Sequence, residues 1–343
     1  MASRAWLGLL VLLSTLGSGA CRERARGPSE DATPIDDPRR DFRPTPWQPF
    51  SVSVDVAPKH VVFDALCADM PRRCRETCRE RSELGFATCA LSLRYGGDRP
   101  TLALARRLLE THGAVAGIET RRTLDVGQGQ LPIAPAPPTG PYRRHLESVV
   151  ASLADVEETF AALAPRAPGP MMFRTRPHAL RFYRTESRSF PSAWAQDGVV
   201  GYNVEGPLHV EGGDIGAVLF HELFHLNDQG HDRWSERALE EIYAGIVSSC
   251  ENDEECLEPY APDDVRVDGG TYYAFDERTN DVREYAADLA LRWLREHRAI
   301  LRGEKLEAAP FRCKTPENAA AWKLVVDEFF GGVDLTPACP EDA

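Results

Sequence analysis

Residues His221-Glu222-Leu223-Phe224-His225 set two imidazoles four positions apart. On a helix each residue turns about 100°, so the two rings point within about 40° of one another and reach the same point in space. No other feature of the chain constrains its fold as strongly. It asks for a helix at this place, an apolar back face beneath it, and a third group delivered by a distant part of the sequence. Val218, Leu219, Leu223, Phe224 and Leu226 supply the back face. Asp214, following Gly212-Gly213, supplies an N-cap for a helix that starts near Ile215. Glu222, one step round, is badly placed to be a ligand of an ion between the rings and well placed to contact water beside it, as a general base does.

Three protein ligands and one open position describe a catalytic zinc site, and two residues compete for the third place. Glu284 lies in Asp281-Val282-Arg283-Glu284-Tyr285-Ala286-Ala287-Asp288-Leu289, with Asp288 four residues on. Its neighbours Tyr285, Ala286, Ala287 and Leu289 read as a buried helix, where unpaired carboxylates are costly. This pairing resembles the gluzincin clan of zinc peptidases, in which a helical Glu is the third ligand and an Asp four residues later supports a metal-bound histidine. The resemblance implies one Zn2+ per chain held by His221, His225 and Glu284, with Glu222 as the catalytic base. It also implies that Asp288 accepts a proton from the distal ring nitrogen of His221. The alternative is His231, which stands ten residues after His221, the spacing of the third histidine in metzincins. Metzincins require Gly three residues after the second His, where this chain has Asp228, and Met1, Met70, Met171 and Met172 form no methionine turn downstream. Glu284 is therefore favoured over His231.

The resemblance covers residues 142–302 and implies an α+β, zincin-like metallopeptidase core: a small mixed sheet with an edge strand, the HExxH helix and a C-terminal helical part. It implies a peptide or protein substrate, with the strand read over 199–210 in the place of the edge strand that pairs with extended peptide. An oxyanion donor remains open among His231, Tyr272, Tyr273 and Tyr285.

The first twenty residues carry Arg4, an apolar run from Ala5 to Leu13 and the small residues Ser18-Gly19-Ala20 ahead of Cys21, the pattern of an export signal. The run is about half the roughly 20 apolar residues a membrane span needs. Cys21 resembles the acylated cysteine of bacterial lipoproteins, although Ser18 replaces the usual Leu; simple secretion is the alternative. A lipid on Cys21 is the only membrane attachment expected. Of nine cysteines, eight remain, in three clusters: Cys67, Cys74, Cys78 and Cys89; Cys250 and Cys256; Cys313 and Cys339. Export favours disulfides over a zinc cluster. The last two clusters are expected to pair internally, and the first four cysteines allow three connectivities.

Between these landmarks the chain divides into a signal peptide at 1–20, a tether at 21–50 with six prolines, a cysteine-rich N-terminal module at 51–141 and the zincin-like domain at 142–343. Strands are expected at 51–56, 179–190 and 199–210, and a proline-rich extended connector at 131–141. Short helices are expected within 67–93, and further helices at 101–112, 142–163, 234–249, 281–302 and 316–330. Lys+Arg 40 against Asp+Glu 53, a net charge of −13, argues against nucleic acid as a partner. The acidic stretch 251–268 lacks EF-hand spacing and reads as a solvated loop. The function these readings imply is extracytoplasmic zinc-dependent peptide hydrolysis. A tethered zincin-fold binding or assembly protein without turnover is the competing class; substrate and oligomeric state are not readable.

Overall fold

Apolar residues at helical spacing from Leu146 to Leu163 become the buried face of a 21-residue helix, α5 (Arg143–Leu163), against which the site-bearing helix packs. The computed structural model describes residues 42–340 except 52–54, 80–81, 126–129, 187–190, 210–213, 268–269 and 277–280. Ahead of α5 stand α1 (Lys59–Leu66), α2 (Pro71–Thr77), α3 (Glu83–Tyr95) and α4 (Arg99–His112). Ser82 and Asp98 cap α3 and α4 by accepting the Gly85 and Thr101 N–H groups. The short helices expected within 67–93 and the helix at 101–112 are present; α1 has no counterpart in the sequence reading.

One curled, mixed sheet contains β1 (Val115–Ile118), β2 (Arg122–Asp125), β3 (Gln130–Pro135), β4 (Ala179–Thr185), β5 (Ala193–Gln196) and β6 (Val199–Asn203). β4 is its centre, parallel to β1 and β6 and antiparallel to β3; β2 continues from β3, and β5 closes the far side antiparallel to β6. On one face of β4, Leu180 and Phe182 are fully buried with Val200 and Tyr202 of β6. The rest of the chain is helical: α6 (Ile215–Gly230), α7 (Trp234–Ala238), α8 (Glu240–Cys250), α9 (Glu254–Leu257), α10 (Val282–Leu301) and α11 (Pro316–Phe329). An aromatic cluster joins these layers: Phe173 stacks on Phe220 of α6 at 5.1 Å, and Trp293 of α10 stacks on Phe330 at 3.6 Å.

Several elements differ from the sequence reading. The connector expected at 131–141 begins as β3, whose Leu131 and Ile133 are buried. Proline removes a donor and leaves the acceptor, and the Pro132 carbonyl still receives the Glu186 N–H at 3.1 Å. The boundary drawn at residue 141 thus falls between strands of one sheet. The strand read over 199–210 stops at Asn203, and Pro207–His209 is a 3-10 turn. It is not the edge strand: β5 lies outside it. Asp197 and Gly198 connect the two, both at positive φ (50° and 76°), as a two-residue hairpin of the primed type requires. The strand at 179–190 ends at Thr185, with 187–190 outside the described residues, as are 52–54 of the strand expected at 51–56. The helix expected at 234–249 divides at Leu239.

Cysteine pairing is local throughout. Cys250 bonds Cys256 and Cys313 bonds Cys339, as expected, and the first cluster resolves as Cys67–Cys74 and Cys78–Cys89. No helix among the described residues is long and apolar enough to cross a membrane. Cys21 lies outside the described residues.

The tether read up to residue 50 also needs correction at its C-terminal end. Phe42 is 4 % exposed, the Trp47 N–H donates to the Met171 carbonyl at 2.7 Å, and Phe50 covers the Arg176 guanidinium at 4.8 Å. Aromatic residues interspersed among the prolines give this stretch something to bury. A chain shortened to begin at residue 51 is expected to lose several kcal/mol of stability, since truncating one buried aromatic costs about 3–5 kcal/mol. A chain beginning at residue 42 keeps these contacts. Thermal melts of the two should differ clearly; equal melting temperatures would assign the segment no structural role.

Candidate metal centre

Asp214 accepts the Ala217 N–H at 3.0 Å and starts α6, whose Leu219, Phe220, Leu223, Phe224 and Leu226 are buried. That leaves His221 and His225, half-buried, on the opposite side, with Glu222 buried one step round the helix from them. Asp281 caps α10 by accepting the Arg283 N–H at 2.9 Å, and Glu284 follows in its first turn. The two helices pack together, and the consequence is a single convergence: His221 Nε2 lies 3.0 Å from Glu284 Oε2, His225 Nε2 lies 3.4 Å from the same oxygen, and the two Nε2 atoms are 3.0 Å apart. Ligands about 2.0–2.1 Å from one tetrahedral zinc stand about 3.3–3.4 Å from each other. The spacing of this trio and its two-nitrogen, one-oxygen donor set fit such an ion. Among the described residues it is the one group of three or more His, Cys, Asp or Glu side chains arranged to hold a metal.

Asp288 completes the arrangement. Its Oδ1 is 2.9 Å from His221 Nδ1; a carboxylate only accepts, so Nδ1 carries a proton there, and Nε2 is the ring atom that faces the trio. Electrostatics draw positive charge to the same spot. Burial opposes ionising His221, yet the hydrogen bonds and charges of Asp288 and Glu284 hold its pKa well above the ordinary imidazole range. Against the opposing effect of burial, His225 and His221 hold the Glu284 carboxyl well below its usual range. Glu222 behaves differently: burial raises its pKa, with the two histidines only partly compensating, which moves it toward the range of a base that works near neutrality.

His231 is not part of the convergence. The helix continues through Gly230, His231 caps it, and its Nδ1 meets Glu328 Oε1 at 2.7 Å while Nε2 faces the Met172 carbonyl at 3.2 Å. It lines an open hollow of about 710 Å3 with Pro44, Pro168, Pro170 and Met172, just past the C-terminal end of α6. Asp228 explains the difference. Where a metzincin would have Gly, this buried carboxylate accepts the Ser235 N–H and hydroxyl at 2.7 and 2.9 Å and turns the chain into α7. The metzincin-like alternative therefore lacks its third ligand here.

Of the tyrosines considered as oxyanion donors, Tyr273 stands beside the trio, with its ring 6.2 Å from that of His221. Burial and then the negative charges of Glu284, Glu222 and Asp288 push its pKa well up, so its hydroxyl keeps its proton. Tyr272 instead accepts from Arg266 at 3.1 Å, and Tyr285 packs against the stacked pair Tyr243 and Phe275. Nothing in the sequence separates these three. Within the acidic stretch 251–268, read as a solvated loop, Asp253 caps α9, Glu254 pairs with Arg266, and Asp263 pairs with Arg295 of α10 at 3.0 Å.

The edge strand β5, absent from the sequence reading, carries a signal in Asp197-Gly198. The Asn203 N–H donates to the Ser192 carbonyl, and alternation along the ladder then turns the backbone groups of Ala193 and Ala195 away from β6. Gln229 of α6 meets this edge, donating to the Ala195 carbonyl at 3.2 Å and accepting the Asp197 N–H at 3.3 Å. Compared with known proteins, the chain matches no family model, no curated protein and no solved structure.

Proposed function

We propose that this chain is an exported zinc-dependent peptidase with a zincin-like core, held at a membrane through a lipid on Cys21. The observation that carries the reading is the convergence of His221 Nε2, His225 Nε2 and Glu284 Oε2 within 3.0–3.4 Å, backed by Asp288 on the far nitrogen of His221. One zinc fits the three ligand atoms. When bound it acts as a Lewis acid, acidifying water and polarising a carbonyl. Glu222, buried and with its pKa raised, takes the proton of the attacking water and passes it to the leaving amine nitrogen. Asp288 keeps the Nδ1 proton of His221 in place, so the ring holds one tautomer throughout. Tyr273, whose ring stands 6.2 Å from that of His221 and whose hydroxyl keeps its proton, serves in this reading as the donor to the developing oxyanion. Extended peptide would add to the outer side of β5 at Ala193, since Gln229 already occupies Ala195.

Glu222→Gln tests the reading. It preserves size and hydrogen bonding and removes the base, so zinc content should remain about one per chain while cleavage of a peptide library falls at least ~100-fold. A protein that binds peptides without turnover would show no cleavage before or after the change and unaltered peptide affinity. That result would replace the peptidase reading with a binding one.

A further inference from the structure

Phe42 occupies a joint between two parts of the site. Its ring stands edge-on to His178 at 5.6 Å, with the Arg174 guanidinium 4.9 Å from its centre. On one side it meets the β5–β6 turn, where a Cβ on Gly198 would lie 3.2 Å from the ring. On the other it meets the last turn of α6, where a Cβ on Gly230 would overlap the Phe42 carbonyl. Phe42, Asp197, Gly198, Leu226, Gln229 and Gly230 enclose a void of only about 10 Å3, room for no more than one water. The same joint holds both hydrogen bonds by which Gln229 ties α6 to the backbone of Ala195 and Asp197. Glycine on both facing surfaces lets the aromatic residue enter, and close packing leaves the joint little freedom to change width.

We infer that Phe42 is a positioning residue: seated between the β5–β6 turn and the end of α6, it sets the spacing between the edge strand and the helix carrying His221 and His225. Gln229 fixes the register of the two elements and Phe42 their separation. The consequence for substrate binding rests on the proposed peptidase function; the mechanical role of Phe42 does not.

The full-length chain loaded with zinc, and its Phe42→Ala, Phe42→Leu and Gln229→Ala variants, can be compared by hydrogen exchange. Phe42→Ala should speed amide exchange across residues 193–199 by about tenfold or more and leave residues 282–301 unchanged. Phe42→Leu, which refills most of the joint, should restore nearly the original exchange, and Gln229→Ala should loosen the same residues. Zinc should stay at about one per chain in all four proteins. On fluorescein-labelled casein, Phe42→Ala should raise KM severalfold with kcat within about twofold, because the strand affected binds substrate and takes no part in the chemistry. Unchanged exchange at 193–199, equal acceleration throughout the chain, or failure of Phe42→Leu to restore the edge would each overturn the inference. Should the original protein leave casein intact, the peptidase reading weakens while the exchange data still decide the role of Phe42.

Discussion

Glu284→Ala is expected to remove zinc from the protein without unfolding it. Glu284 sits in the first turn of α10, one-fifth exposed, and the buried core of that helix lies on other residues, among them Tyr285, Leu289 and Trp293. The change therefore deletes one of three donors and leaves packing intact. Loss of an outer hydrogen-bond partner of a metal ligand typically costs roughly 10–100-fold in affinity. Asp288→Ala should fall in that range, and loss of the ligand itself should cost more. Zinc titration against a competing chelator, with circular dichroism as the folding control, orders the three proteins: the original tightest, Asp288→Ala intermediate, Glu284→Ala weakest. Retention of zinc by Glu284→Ala at the original affinity would remove Glu284 from the ligand set.

The second large effect expected is acid destabilisation from histidines that are not part of the candidate metal centre. Burial pushes the pKa of His112, His145 and His297 down to about 4, helped in His112 by Arg176 and Arg107 and in His145 by Arg144. His297 shows why. It is fully buried, its Nδ1–H donates to the Trp293 carbonyl at 2.8 Å, and its Nε2 accepts the Leu335 N–H at 3.0 Å. A second ring proton would set two donors face to face. An unfolded histidine titrates near 6.5, so between pH 6.5 and 4 the unfolded chain binds the extra protons and the folded one resists them. Stability is then full above about pH 6.5 and falls as the pH drops toward 4, by about 3 kcal/mol for each such residue. Urea unfolding at pH 7.5 and 4.5, performed in chelator so that zinc loss does not contribute, should show the difference. Both ring nitrogens of His112 are buried without a partner, so His112→Leu should lessen the pH dependence at no cost in hydrogen bonds. Equal stability at the two pH values would mean that these rings are not held neutral.

The candidate site was more legible in the sequence than the sheet around it, for physical reasons. Helical spacing is a local property, so His221, His225 and Glu222 could be read within five residues, and Glu284 with Asp288 within another five. Their meeting depends on α6 packing on α10, which no local pattern encodes. The sheet offered weaker signals. β1 is only Val-Ala-Gly-Ile, and its Gly117 is required because α1 crosses it at Ala65, where a Cβ would clash. Pro132 and Pro135 made β3 resemble a linker, although a proline carbonyl can still join a ladder. The aromatic and β-branched run after Val199 concealed that the strand ends at Asn203, whose side chain leaves the ladder to donate to the Pro191 carbonyl and accept the Glu205 N–H. Phe42 and Trp47 were hidden among prolines, because composition shows that a segment cannot form a helix and says little about whether its aromatic residues find a surface.

The four disulfides join cysteines 7, 11, 6 and 26 residues apart. Every bridge closes within a segment shorter than one supersecondary unit, so none fixes the long-range course of the chain. For a polypeptide threaded N-terminus first into an oxidising compartment, each partner arrives soon after the other, and short loops close at the lowest entropic cost. Under the proposed export, Cys67–Cys74 and Cys78–Cys89 would therefore be complete before α6 has emerged. The correct set of bridges can then be reached in order of emergence, with little call for later reshuffling, while the assembly of α6 against α10 is left to noncovalent packing alone.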